Sequence, residues 1–450
     1  MSRSSSNTIK SSAQGDSVSV SGSRLTITVT GDGSSISDSG DRNRTTLSGS
    51  GDGATLIGTN GDVVATGINA FVSLAGIDNS ANVSGDGAFV MLTGSRNDAT
   101  VGGDGAAANL SGNHNSLTGT GSGLSIFLGG SDNDVTVKGS FSTVSDLGSG
   151  NSIALKGDQD SASLAGSDGY VTMTGSSDFV RLQGIGNTAV ARGDSGTVVD
   201  NGTGDYVVLA GRGNSVQMVG MDGVAVVLEN GADIQLIGTD NTAIVWGDRA
   251  SLFDVGTGDT IELRGDHENA TVVGSNAHIA STGWGNAITV TGSGDSVDAS
   301  NASITIGSGT SASVNGDHNA IALGTGSTLT LTGRLNDVLT VSSPDESDTL
   351  VLGDVSHNQL RFSESHGDLV ISVLGKRESV TVAGWFDQPG SHIGTIQTAD
   401  GFSVSDAGVD RLVQAMSAFS PSSSFGHWHH HSHGEANALA PALAANWQHS

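Results

Sequence analysis

The sequence predicts an all-β chain folded as a parallel β-solenoid, of β-helix or β-roll type, followed by a small β-rich module and a short helix. Three observations carry this. Glycine recurs every nine residues, two alternating apolar positions recur inside each nine, and aromatic residues are too few for several ordinary cores. The chain has 450 residues, of which 68 are glycine, four are proline and only 4% are aromatic. High glycine with modest hydrophobicity also fits a disordered chain, so periodicity has to decide.

Stepping by nine from Gly22 through Gly31, Gly40 and onward to Gly292 visits 31 positions, and 30 are glycine; the exception is Glu229. Such self-similarity marks a repeat array. Each unit reads G-x-x-[N/D/G]-x-U-x-U-x, as in Gly202-Thr-Gly-Asp-Tyr-Val-Val-Leu-Ala210. Alternation at positions six and eight reads as one short strand with a single buried face. Along Tyr206–Leu209 this reading sets Leu209 inward, Val207 outward and Tyr206 near the corner. Glycine at position one, often joined by another at position three, is expected to supply the positive φ of a tight corner. One strand and one turn bury too little surface alone, so the units should stack, each strand pairing with its equivalent one coil away.

Position four is Asn or Asp in 16 of the 30 units from Gly31 to Gly292, including Asn97, Asn115, Asn133 and Asn151. These side chains are expected to point inward at the corner and bond neighbouring coils as a ladder, a structural role. The size of a coil stays open between two values. Alternation at Ala70, Asn79, Ala88 and Asn97 implies 18 residues per turn. The series Asn151, Asp160, Gly169, Asp178, Asn187, Gly196 implies 27. After Gly292 the metre slips, and a short insertion is expected near Ala299–Asn301. The segments expected are 1–21, an N-terminal cap or flexible leader; 22–341, the solenoid; 342–404, the β-rich module; and 405–450, a helix with a His-rich tail.

The formal charge of -28 argues against nucleic-acid binding, which needs clustered Lys and Arg. It suits a soluble extracellular protein able to attract divalent cations. Cysteine is absent, which excludes a disulfide scaffold and thiolate metal sites. The N-terminus has no apolar signal core and no apolar run approaches a membrane span, so an export signal is expected elsewhere.

The glycine-rich nonapeptide resembles the RTX repeat G-G-x-G-x-D-x-U-x, in which successive coils hold Ca²⁺. It departs from that repeat in its rare double glycines, its second buried apolar position and its sparse aspartates. Asp occupies position five only at Asp62, Asp98, Asp134 and Asp233. Further on, Asp348-Thr-Leu-Val-Leu-Gly, Gly367-Asp-Leu-Val-Ile-Ser, Ser379-Val-Thr-Val-Ala-Gly-Trp-Phe386 and Ile393-Gly-Thr-Ile-Gln-Thr-Ala-Asp-Gly401 resemble the haemolysin-type calcium-binding-related module that follows RTX arrays in bacterial exoproteins. The resemblance implies a type I secretion substrate, with the secretion apparatus as a partner and an extracellular or cell-surface location. Over 405–419, Val409, Leu412, Val413, Met416 and Phe419 recur at helical steps behind a capping Asp406. This segment is expected either to be read by the exporter or to cap the solenoid.

Candidate Ca²⁺ ligands are Asp62, Asp98, Asp134 and Asp233 in the repeats, and Asp345 and Asp348 at the junction with the module. His427, His429, His430, His431 and His433 pack five imidazoles into seven residues, a candidate site for a transition metal. No catalytic constellation is visible: carboxylates are scattered through the turns, the 18 basic residues form no cluster, and every G-x-G-x-x-G-like run follows from the metre. The chain is therefore expected not to be an enzyme. The readings left are a secreted structural, surface or matrix protein of a Gram-negative bacterium, self-assembling or binding surface polysaccharide; a calcium-dependent RTX-type binding or toxin-like module; and a carbohydrate-active β-helix.

Overall fold

The computed structural model describes residues 7–342, 347–388, 390–417 and 445–449. The chain divides into two compact units, residues 1–232 and 233–450. Both are parallel β-solenoids in which strands of mostly four residues alternate between two sheets.

Within the first unit each strand pairs in parallel with a strand 18 residues away. Tyr170 pairs with Thr188 and Thr188 with Tyr206 in one sheet, and Phe179 with Thr197 in the other. A turn is therefore two nonapeptides, and the 27-residue alternative is set aside. The misleading pattern arises because the two corners carry separate columns. Asn151, Gly169, Asn187 and Asp205 stack at one corner, Asp160, Asp178, Gly196 and Asn214 at the other, and interleaving them mimics a period of three. Pairing already includes Thr8–Ser11 with Thr26–Val29 and Ser17–Val20 with Ser35–Asp38. Those two strands lie within the segment expected as a cap or leader. At about 4.8 Å per turn the first unit rises roughly 60 Å.

The core is a double column of side chains from positions six and eight, such as Val63, Ala65, Val72 and Leu74, all inaccessible to solvent. Val207 and Leu209 are both fully buried, whereas Tyr206 is exposed. Setting Val207 outward was thus wrong: on a four-residue strand the side chains two apart share a face.

The glycine at position one has a different reason from the one expected. Positive φ falls at position three, where Gly213 has φ 62°. Asn, Asp, Arg and His also take that conformation there, for example Asn276, Asp240, Arg96 and His267. Position one is glycine because the coils approach closely. A Cβ on Gly211 would overlap the carbonyl of Gly193 one turn away and lie 2.6 Å from its carbon.

In the second unit the 18-residue turn holds until Ala287, which pairs with Ser303, only sixteen residues on. The slip expected as an insertion near Ala299–Asn301 is a shortening, and the next turns keep 17 residues, as in Ser303 with Ala320. The module continues the same two sheets. Thr349–Leu352 pairs in parallel with Thr328–Leu331 and then with Thr395–Thr398. An antiparallel hairpin, Leu360–Ser365 with Asp368–Val373, joins Ser379–Val382, which itself pairs with Val338–Leu339.

One α-helix, Asp406–Ser417, packs on the hairpin through Val409, Leu412, Val413 and Met416, and the Phe362 N–H points at the Met416 sulfur at 3.0 Å. Its first turn is capped by Ser405, whose hydroxyl accepts the Gly408 N–H at 3.3 Å, so the cap lies one residue before the expected Asp406. Phe419 lies outside the described residues. No helix among the described residues is long and apolar enough to cross a membrane.

Candidate functional site

The four repeat aspartates proposed as calcium ligands stand on the outer faces of the sheets. Asp62, Asp98 and Asp134 share one column, but serines alternate with them: Asp62 pairs with Ser80, Ser80 with Asp98, Asp98 with Ser116 and Ser116 with Asp134. Neighbouring carboxylates are therefore two turns, about 9.6 Å, apart along the axis. A Ca²⁺ ion needs its oxygens within about 2.3–2.6 Å, so no two of them reach one ion. Asp62 instead accepts the Ser80 hydroxyl at 2.8 Å and faces Arg44 at 3.5 Å. Asp233 belongs to the second unit, beside Ser251.

Asp345 and the five tail histidines, His427, His429, His430, His431 and His433, lie outside the described residues. Asp348 is buried, and its Oδ1 accepts the Ser327 N–H at 2.8 Å, a corner role like that of the position-four residues. Among the described residues no group of three or more His, Asp or Glu side chains is arranged to hold a metal ion.

The corner ladder expected at position four is present. The side-chain carbonyls of Asn97, Asn115, Asn133 and Asn151 each accept the backbone N–H of the position-four residue one turn earlier, at 2.8–3.0 Å. Each amide nitrogen then donates to a glycine carbonyl of the turn before, as Asn133 does to Gly112 at 2.9 Å. A fully satisfied buried amide ladder holds coil to coil in register.

Sequence reasoning missed how many acids share this interior. Asp38, Asp146, Asp200 and Asp254 occupy position eight, where the core would otherwise take an aliphatic residue, and all are buried. Each accepts the N–H of the glycine two residues later, for example Gly202 to Asp200 at 2.8 Å. Asp160, Asp178, Asp205, Asp259 and Glu268 are buried at position four. Burial pushes the Glu268 carboxyl up to about 8 and that of Asp178 to about 6, and does the same to Asp337. Asp205 and Asp259 are raised by burial and by the carboxyl five residues earlier, Asp200 and Asp254 respectively. The signal was legible as an acid five residues before a position-four Asn or Asp.

Two other features bear on chemistry. A shallow groove of about 750 Å³ runs along one corner of the first unit past Asn113, Ser131, Leu147, Ser149, Ser167 and Ile185. None of these titrates, and the groove offers no acid, base or nucleophile pair. In the module His357 Nδ1 meets Asp400 Oδ2 at 2.6 Å, and the His357 ring lies 4.0 Å from that of Phe402. Burial opposes ionisation of Asp400, but hydrogen bonds from Thr398 and His357 outweigh it and hold the carboxyl below its ordinary range. The pair ties the 3₁₀ turn His357–Gln359 to the strand ending at Thr398.

No curated protein matches the chain. Residues 368–407, which run from the second strand of the hairpin into the helix, match the family model of the Haemolysin-type calcium binding protein related domain. Over that segment alone the chain is similar to RTX-like proteins, and the match covers none of the nonapeptide repeats.

Proposed function

We propose that this protein is exported by a type I system and serves outside the cell as a structural, surface or matrix component of a Gram-negative bacterium, self-assembling or adhesive. The observation that supports this best is the pairing of a regular solenoid, whose coils are locked by apolar columns and amide ladders, with a haemolysin-type related domain at residues 368–407. Such coils present a backbone repeated every 18 residues, which suits scaffolding. Secretion of the full chain by a host with a type I exporter, lost on removal of 405–450 and conferred on a passenger by 342–450, tests the export reading. Retention of the deletion variant in the medium together with failure of the fusion overturns it.

A second reading, a calcium-dependent RTX-type module, is favoured by the family match alone. Circular dichroism in chelator separates the two. A chain that keeps its β signal without Ca²⁺ supports the structural reading, because its coils are packed by apolar columns. A chain that folds only when Ca²⁺ is added supports the second.

A further inference from the structure

The corners that lead from one sheet to the other repeat a two-residue device, with an acid at position eight and a position-four residue five later. At Asp38–Asn43 and Asp146–Asn151 the Asn amide nitrogen donates to Asp Oδ1 at 2.7 Å in both cases. The same nitrogens donate to the carbonyls of Gly22 and Gly130 one turn back, at 2.7 and 3.0 Å. The amide nitrogen therefore sits between two acceptors.

At Asp200–Asp205 and Asp254–Asp259 the position-four residue is an aspartate. The backbone geometry is unchanged: Asp205 and Asp259 Oδ1 accept the N–H of Asn187 and Asn241 at 2.7 and 2.8 Å, and Asp200 and Asp254 accept Gly202 and Gly256. Oδ2 now occupies the place of the nitrogen. It is the side-chain atom nearest a Cβ built on Gly202 or Gly256, as the Asn151 nitrogen is for Gly148. All four Oδ2 atoms are buried without a partner, and the four residues are at most 1% exposed. An oxygen between two acceptors is repelled by both unless it carries hydrogen.

We propose that Asp200–Asp205 and Asp254–Asp259 are two interior proton-binding sites, each holding one proton between its carboxyls, so that a carboxylic acid replaces the amide donor of the Asp–Asn corners. Each pair then carries a single negative charge, and the shared proton supplies the missing donor. No donor reaches the Oδ2 atoms: the Asn187 side-chain amide bonds the Asp205 carboxylate, yet Oδ2 keeps no partner. Around Asp205 stand Asp200 and the Asn187 amide. Around Asp259 stand Asp254, Asn241 and the carboxylate of Asp240, and Asp254 in turn raises Asp295. No Lys, Arg or His forms an ion pair with either site among the described residues. The raised protonation of Asp205 and Asp259 agrees with this.

The test compares the full chain with Asp205→Asn/Asp259→Asn, which installs the amide of the homologous corners. Urea unfolding is followed from pH 5 to 7 in chelator. Each retained proton should make the folding equilibrium fall about tenfold per pH unit relative to a chain without it. The stability ratio of variant to parent should therefore rise about a hundredfold per unit. An unchanged ratio across that range overturns the proposal. Proton release on unfolding in unbuffered urea at pH 6 reads the same quantity directly: the parent should release about two protons more than the variant, the protons of Glu268, Asp178 and Asp337 being common to both, and an equal release overturns the sites. Millimolar Ca²⁺ raising the urea midpoint of the parent but not of the variant also overturns them, in favour of a cation between two carboxylates.

Discussion

Replacing Gly211 with alanine should damage the stack far more than the same replacement two residues on, at Gly213. The methyl at Gly211 would project along the solenoid axis into the preceding turn, 2.6 Å from the Gly193 carbonyl carbon and 2.8 Å from the Arg192 oxygen. Carbon atoms rest about 3.5–4.0 Å apart, so the overlap is about 1 Å. The preceding turn cannot retreat, because Ala210 and Gly211 donate to the Ala191 carbonyl at 2.7 and 3.2 Å, and Arg192 and Gly193 are tied in the same way to Met173. Overpacking absorbed by side chains costs about 1–3 kcal/mol, and an overlap between backbones belongs at or beyond the top of that range. Gly213 has open space where a Cβ would stand, so alanine there meets only the left-handed penalty of about 1–2 kcal/mol. Urea midpoints, with hydrogen exchange at the amides of 206–210 and 188–191, measure the difference. Exchange in both strands should rise for Gly211→Ala and stay near the parent for Gly213→Asn, since Asn276 adopts the same conformation. Equal destabilisation by Gly211→Ala and Gly213→Ala would refute the close-approach argument and restore positive φ as the reason for the metre.

Val207→Lys and Leu209→Lys should both be strongly disruptive, each burying an unpaired charge at a cost of several kcal/mol, while Tyr206→Thr should shift stability by no more than about 0.5 kcal/mol; thermal melts of the three decide whether both columns are core. Glu268→Gln should leave stability near the parent at pH 4 and exceed it at pH 8. The folded carboxyl is pushed up to about 8 from an ordinary 4.5, so the parent's stability is full below about 4.5 and is lost as pH rises through about 8. Urea midpoints at the two pH values check the sign. Asp410→Ala should loosen the module by removing the acceptor of the Trp385 indole N–H, held at 3.0 Å, and leave that buried donor unpaired at a cost of about 1–3 kcal/mol. Tryptophan fluorescence during unfolding should report an earlier transition for that variant, with the amides of the first unit unaffected.

The nonapeptide metre, the strand in each unit, the apolar alternation at positions six and eight and the Asn ladder were legible in the sequence, although Val207 at position six was set outward. Each depends on residues close in the chain whose chemistry repeats. A period of nine with two apolar positions leaves a strand and a turn no other way to bury surface than by stacking. The terminal helix was legible for the same reason, from Val409, Leu412, Val413 and Met416 at helical spacing. Its cap at Ser405 was not, because Ser405 and Asp406 both offer an oxygen and only the turn geometry chooses.

Which corner stacks on which, and how closely, was beyond the sequence. The 18-residue turn follows from which corner stacks on which, and composition alone let two interleaved columns look like three. The reason for glycine at position one is a carbonyl 18 residues away, so local turn chemistry pointed to the wrong cause. The paired acids at Asp200–Asp205 and Asp254–Asp259 read as ordinary soluble charges in a chain of formal charge -28. Only the closed coil, which removes them from water and sets each oxygen where an amide stands elsewhere, makes their protonation part of the structure.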